Sequence, residues 1–327
     1  MFKVCVIGCG GIAQVHGAVL AAMEGVRLSA CCDIVPEKAA AYAGKFGCTP
    51  YTDFEELLEK EKPEAVHLCT PHYLHTQMAE AAAERGVHVF TEKPPVINRD
   101  EWERLQKAGE KVRIGVCVQN RYNPNVQKAL QVLSSGELGA VKGGRATVFW
   151  DRGADYYASG NWRGKWATEG GGALINQSIH TLDLLLQFLG RPDIVSCHMA
   201  NRHLQGMIEV EDTVEAYLQS GEKRGIFFAT NAYAGNAPVM IEIVTEKGTL
   251  HLEDDWLDIR KEGKTEHLTF EMPTPMGKGY WGSGHFACIQ DYYRCMEQGI
   301  PFRNDLQGVK TTVETMLTMY EQGRKTI

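Results

Sequence analysis

The chain is missing several things, and each absence removes a class of function. No apolar run approaches the roughly 20 residues needed to span a bilayer. The N-terminal run MFKVCVIG is strand-like and shows no signal-peptide layout. No basic cluster offsets a net charge of -7, so neither a nucleic-acid surface nor a polybasic membrane contact is expected. No C-x-x-C pair occurs among the ten cysteines, most of which sit in apolar, strand-like runs. They read as reduced, buried thiols of a cytoplasmic protein. Their spacing offers no ligand cluster, so no metal is expected. Repeats and low-complexity segments are also missing.

What remains is an ordinary soluble composition. At 327 residues the chain exceeds one ordinary core and argues for two domains. Over the first 120 residues, apolar strands such as KVCVIG, VRLSACCD, AVHLCT, VHVFTEK and VRIGVCVQN alternate with helical segments. Pro36 sits near one helix start, Asn98 is the expected cap of another, and Gly86 ends a third. This alternation predicts a parallel sheet covered on both faces. Beyond about residue 120 a connecting helix over 123–139 leads to strands joined by short turns such as Ser220-Gly221 and Lys247-Gly248. That second half predicts an antiparallel sheet, closed by helices near 284–298 and 306–325. The expected domains are 1–121 and 122–327.

Gly8-Cys9-Gly10-Gly11-Ile12-Ala13 fits G-x-G-x-x-[GA] at the junction of the first strand and helix. The glycines permit a tight turn and close approach of backbone to a pyrophosphate at the helix N-terminus. Asp33 ends the second strand about 20 residues on, where an acid binds the ribose 2′-hydroxyl. No arginine follows it. NAD is therefore expected over NADP, with Lys38 able to soften the preference. Pro71 shapes the turn after the third strand, and His75 there is a cofactor contact or a capping residue. Glu92-Lys93-Pro94 ends the next strand, and its proline keeps Lys93 extended, aimed at the crevice where a nicotinamide would lie. Gly170-Gly171-Gly172 then precedes a helix on which Asn176 and His180 share a face. The triplet is expected to let the chain pass close to nicotinamide and substrate.

These motifs, in this order, resemble the Gfo/Idh/MocA oxidoreductase family along essentially the whole chain. The resemblance implies an α/β chain: an N-terminal Rossmann domain plus a C-terminal α+β domain with a large open, mostly antiparallel sheet. Homodimers or homotetramers would form through that sheet. It implies that Lys93 touches cofactor and reacting hydroxyl, that His180 is general acid/base, and that Pro71, His75 and Glu92 line the cofactor. Asn176 stands where the family often has aspartate. Asn176-Gln177, Tyr156-Tyr157, the WRGKW run and Val210-Glu211-Asp212-Thr213 resemble a subgroup acting on the pyranose 3-hydroxyl.

The implied reaction is NAD-dependent oxidation of a secondary hydroxyl of a sugar, glycoside or cyclitol. Imidazole titrates near working pH, a lysine cation favours a deprotonated oxygen, and an asparagine orients a hydroxyl without titrating. Asp183 would orient the His180 ring or make a buried hydrogen bond. In the loop 151–166, Tyr156, Tyr157, Trp162 and Arg163 form either a substrate wall or a packed strap. Arg121 and Tyr122 would also reach the pocket, and Trp281 and His285 open the penultimate helix. The resemblance leaves two alternatives: a redox-neutral enzyme that retains NAD, and a non-catalytic NAD-binding regulator.

Overall fold

The computed structural model describes residues 1–271 and 284–327. Trp281 lies outside the described residues. The chain divides into two compact units, the first made of residues 1–119 with 285–309, the second containing 120–271 and 310–327.

In the first unit, strands β1 (Phe2–Ile7), β2 (Val26–Cys32), β3 (Thr49–Tyr51), β4 (Ala65–Leu68), β5 (His88–Thr91) and β6 (Ile114–Val116) form one sheet. Its order is β3-β2-β1-β4-β5-β6, and every adjacent pair is parallel. That order reverses beside β1, where such sheets bind dinucleotides. The intervening helices are α1 (Gly11–Ala22), α2 (Pro36–Phe46), α3 (Phe54–Glu61), α4 (His75–Glu84) and α5 (Arg99–Gly109). Pro36 opens α2, and the Asn98 side chain caps α5 by accepting from the Glu101 N–H at 2.9 Å. The sequence reading overlooked β3 and α3, because three residues with a proline carry almost no strand signal.

The second unit begins with α6 (Pro124–Ser134) and β7 (Val141–Phe149), then α7 (Ala154–Ala158) and α8 (Ile179–Leu189). Strands β8 (Ile194–Ala200), β9 (Thr213–Ser220), β10 (Lys223–Thr230), β11 (Met240–Thr245), β12 (Gly248–Glu253), β13 (Trp256–Lys261) and β14 (Lys264–Thr269) follow. With β7 they make an eight-stranded sheet, ordered β14-β13-β12-β11-β7-β10-β9-β8. Only the β7–β10 pair is parallel among them. One face buries Ala146, Leu218, Phe227, Ala229, Ile241, Ile243 and Leu250. Helix α8 lies on this face, with Leu185 against Gly144 and Leu189 against Gly225. The opposite face leaves Ile194, Tyr217, Ile226 and Val244 exposed.

One boundary differs from expectation. Residues 285–309 were placed with the second domain, but they belong to the first unit. They contain α9 (His285–Gln298); α10 (Leu306–Gly323) begins at their end. The reason is packing: the Tyr292 hydroxyl donates to the Val89 carbonyl at 3.0 Å. Its ring packs against Phe90 and Phe302, and the Val116 N–H donates to the Asn304 carbonyl at 2.9 Å. Tyr292→Ala should therefore lower the stability of the first unit by about 3 kcal/mol or more. Urea unfolding followed by a probe in the first unit checks this; an unchanged midpoint would detach α9 from that core.

Candidate active site

The glycine loop lies between β1 and α1. Gly8 has φ +84°, and a Cβ there would stand 2.7 Å from the Cys69 carbonyl oxygen, so only glycine lets this loop lie against the end of β4. Gly10 caps α1 without any side-chain hydrogen bond. No atom stands within 4 Å of where a Cβ of Gly10 or Gly11 would be. The first-turn N–H groups, including that of half-buried Ile12, thus open on space suited to an anion, which fits a dinucleotide pyrophosphate. Asp33 braces the loop: its two oxygens accept from the N–H groups of Cys9 and Val35, both at 2.9 Å. A carboxylate has lone pairs left for ribose hydroxyls after two such bonds.

His75 behaves as a clamp instead of the expected cofactor contact. It is buried, with Nδ1 2.7 Å from the Pro94 carbonyl and Nε2 2.8 Å from the Thr70 carbonyl. A neutral ring has one N–H, so it donates to one of these carbonyls and stands against the other, between the Pro71 turn and the turn after β5. Burial pulls its pKa below the ordinary histidine value. Lys93 precedes Pro94 through a cis peptide bond. From Val89 to Val96 it is the one residue that is not buried.

Glu92 faces inward, a correction to its expected place beside the cofactor. Its Oε1 lies 3.0 Å from His16 Nε2, and its Oε2 accepts from the Lys93 N–H at 3.2 Å. Burial alone would raise its pKa. The hydrogen bond from His16, with the nearby Lys93 cation, outweighs this and holds it well below the usual carboxylate range. His16 Nδ1 in turn meets His67 Nδ1 at 2.8 Å, and His67 Nε2 meets the Tyr293 hydroxyl at 2.7 Å. With both imidazoles neutral, protons run in one direction: Tyr293 donates to His67, His67 to His16, and His16 to Glu92. Ligand atoms of His16, Glu92 and Cys117 lie within 4.8 Å of one another. Linear spacing gave no hint of this cluster. A cation there would displace the His16–Glu92 hydrogen bond. His285, at the start of α9, is a buried neighbour of His16, its pKa lowered to about 4 chiefly by burial.

In the second unit, the segment after the glycine triplet is a π-helix over Ala173–Ser178, running into α8. Such turns concentrate at functional sites. From Gly170 to Leu186, only Asn176 and His180 are not buried. The triplet itself answers to packing within this unit. A Cβ on Gly171 would stand 1.9 Å from the Tyr320 hydroxyl, and one on Gly172 2.0 Å from the Glu211 carbonyl oxygen. The expectation that the triplet makes room for nicotinamide and substrate is thereby replaced. Glu211 accepts from the N–H groups of Gly172 and Leu174, both at 3.0 Å, and from the Tyr320 hydroxyl at 2.8 Å. Asn176 Nδ2 donates to Glu169 at 2.6 Å and to the Tyr156 hydroxyl at 3.2 Å.

Other expected contacts are used structurally. Arg121 is buried and bidentate on buried Asp183, at 2.8 and 2.6 Å, so neither lines an open pocket, and Asp183 serves Arg121 and Thr312 instead of the His180 ring. Tyr157 is buried in a small core with Leu204, Ile208 and Val210, and its hydroxyl accepts from Asn231 at 3.0 Å. The Arg163 guanidinium covers the rings of Tyr156 and Trp162, each at 4.8 Å. Half of the 151–166 loop is thus the packed strap. Tyr122, Tyr156 and Trp162 remain half-buried. Sequence reasoning missed Glu169, although an acid directly before a glycine triplet was a visible signal, and it missed Asn231, which carried none.

Burial pushes the carboxyl groups of Glu169 and Glu211 up to about 7. Each is raised above its unfolded value, so its stabilising effect is full in mild acid and is lost as pH rises from about 4.5 through 7. Melting temperature should therefore fall between about pH 5 and 8, with Glu211 contributing about 3 kcal/mol of the slope. Glu211→Gln should flatten that decline; a slope equal to that of the unaltered protein would refute the assignment.

Comparison with known proteins identifies the family and the fold. Residues 2–120 match the oxidoreductase family model with an NAD-binding Rossmann fold, and residues 126–251 match the GFO/IDH/MocA C-terminal domain. Levoglucosan dehydrogenase of Pseudarthrobacter phenanthrenivorans is 24% identical over 308 residues, covering 81% of this chain and 79% of that one. D-glucoside 3-dehydrogenase of Escherichia coli is 28% identical over 198 residues, 59% of this chain and 56% of that one. The structure of the WlbA dehydrogenase from Bordetella pertussis, in complex with NADH and UDP-GlcNAcA, superimposes with a TM-score of 0.86. It is 27% identical and covers 100% of this chain and 97% of that one. No described helix is long and apolar enough to cross a membrane. The chain belongs to the Gfo/Idh/MocA family of oxidoreductases, and its first unit is that family's NAD-binding Rossmann domain.

Proposed function

We propose that this enzyme oxidises a secondary hydroxyl of a sugar, glycoside or cyclitol, with the pyranose 3-hydroxyl favoured and NAD as acceptor. One observation carries the reading: each buried candidate segment leaves only chemically competent side chains accessible, Lys93 in one, Asn176 and His180 in the other. Side chains kept accessible in segments that are otherwise fully packed are spent on ligands more often than on stability. The relatives named as levoglucosan dehydrogenase and D-glucoside 3-dehydrogenase support the substrate class, and the second of them supports the choice of carbon.

Bound nicotinamide would supply the hydride acceptor. The glycine loop and the uncapped start of α1 would hold its pyrophosphate, and Asp33 the adenosine ribose. Lys93 would hold the substrate oxygen and favour its deprotonated form by charge. His180 would take the hydroxyl proton. Asn176 would orient a neighbouring hydroxyl without changing charge.

NAD reduction across a panel of free sugars, glycosides, uronic acids and inositols tests this. Lys93→Met and His180→Ala should each lower kcat/KM by at least about 10²-fold; full activity in either variant sinks its role. Parallel runs with NADP should be slower, and preference for NADP would overturn the argument from Asp33. Cofactor that co-purifies and survives dialysis would favour the redox-neutral alternative.

The exposed sheet face is proposed as a self-association surface. Ile226 lies opposite Tyr217 across β10–β9, and the two share that face with Ile194 and Val244. Ile226→Lys should shift the species seen in sedimentation to smaller mass, and a monomeric unaltered protein would remove this part.

A further inference from the structure

The core of the first unit holds a set of donors that the oxidation proposed above does not use. Thr91 of β5 pairs with Val116 of β6, and the ladder runs one residue further through the Cys117 N–H, which donates to the Thr91 carbonyl at 2.8 Å. Glu92 and Cys117 therefore leave the sheet on the same face. His67 and Phe90 are register partners on that face, and His16 reaches it from α1. His16, Glu92 and Cys117 are all buried, with ligand atoms within 4.8 Å of one another. The Cys288 thiol of α9 lies in hydrogen-bonding reach of the Cys117 thiol and accepts from Asn304 Nδ2 at 3.6 Å.

Alone, these groups suit one another poorly. Burial, then the neighbouring Cys288 thiol and the Glu92 charge, push the Cys117 thiol well above its ordinary range. A buried anion beside two thiols is costly unless a cation answers it. A divalent ion does so, since one carboxylate and one thiolate match its two charges. As the metal–sulfur bond forms, the Cys117 S–H bond breaks and its proton leaves to solvent. Zinc accepts nitrogen, oxygen and sulfur donors alike and imposes no geometry of its own. Bonds of about 2.0–2.3 Å around a tetrahedral ion put ligand atoms roughly 3.5 Å apart. Small side-chain rotations therefore suffice to close this set.

The support that a metal-bound histidine needs is also in place. Such a histidine donates its other ring N–H to a fixed acceptor. Without an ion, protons run from Tyr293 through His67 and His16 to Glu92. With an ion on His16 Nε2, the His16 proton sits on Nδ1 and donates to His67 Nδ1 across the same 2.8 Å. The His67 proton then sits on Nε2 and donates to the Tyr293 hydroxyl across the same 2.7 Å. The line reverses, keeps its number of protons and needs no change in those separations.

We propose that His16, Glu92 and Cys117 form a structural zinc site, with the Cys288 thiol as fourth donor. The ion would fasten α1 and α9 to the ends of β5 and β6, at the residue before Lys93. This reverses the expectation of no metal. Spacing along the chain excludes ligands that are near neighbours in sequence, whereas these come from four distant positions.

The test uses the full chain, purified after growth with added zinc and dialysed against metal-free buffer. Elemental analysis should find about one zinc per chain. Stripping with a chelator should lower the melting temperature by about 5 °C, and zinc sulfate should restore it. Cys117→Ser and His16→Ala should each weaken zinc binding at least about 100-fold, read by competition with a chromophoric chelator. Cys48→Ser/Cys197→Ser removes the two half-buried thiols and should leave zinc binding unchanged. If the buried variants do not fold, cobalt added to stripped Cys48→Ser/Cys197→Ser protein decides, because ligation by Cys117 requires thiolate-to-cobalt absorption. No such absorption overturns the proposal. So does a chain that retains no zinc and whose melting temperature does not respond to it; the cluster is then held by hydrogen bonds only. Zinc binding that disappears with Cys48 and Cys197 overturns it too, as adventitious coordination by accessible thiols. Every readout is a metal content, a spectrum or a melting temperature, so inactivity toward the sugar panel would count against the functional reading alone.

Discussion

The grip of the buried Glu211 carboxyl on the start of the π-helix is the contact on which the second unit's chemistry depends. It satisfies the N–H groups of Gly172 and Leu174, while the Tyr320 hydroxyl, which donates to Glu211, accepts from the Ile175 N–H. The first N–H groups of any helix lack partners within it. Here side chains meet that need inside a fully buried region, where an unmet donor would cost about 1–3 kcal/mol. The grip demands close approach. That is why residues 171 and 172 must be glycine, with Tyr320 and Glu211 occupying the volume a Cβ would need. Once the start is fixed, the rotation of the π segment and of α8 is fixed too, and with it the positions of Asn176 and His180.

The first unit solves a comparable problem with a longer polar line. Tyr293, His67, His16 and Glu92 are all buried, and the line ends at the residue before Lys93. A buried carboxylate on so short a tether is costly unless each neighbour is hydrogen-bonded. The arrangement therefore holds the turn at Lys93 from behind, as His75 holds it from the side. Neither histidine need touch a ligand to matter for where the lysine sits.

Much of this was legible in the sequence, for identifiable reasons. Alternation of apolar strands and helices announces a parallel sheet because such strands are buried on both faces. Asp33 and the glycine loop announce a dinucleotide because their spacing is set by a single strand–helix–strand unit. The side chains that contact one another across distant parts of the chain were not legible. Arg121 looked like a pocket residue because nothing local marks Asp183 as its partner, and Tyr157 looked like a wall because its core neighbours lie some fifty residues downstream. Glu92 was read with its neighbours in the motif, although strand alternation already places adjacent side chains on opposite faces. In each case the missing knowledge was a long-range partner, and local patterns carry no record of those.

The return of residues 285–309 to the first unit has a consequence for how the protein comes into being. The sheet that binds the dinucleotide is translated first, but its outer strands stay uncovered until Tyr292, Phe302 and Asn304 arrive. During synthesis residues 120–271 of the second unit are made before that cover exists. Contacts of such long sequence separation form late and slowly. The half of the molecule begun first at the ribosome thus waits through most of the synthesis of the second unit before it is sealed, and a nascent chain must keep that edge from pairing with others while it waits.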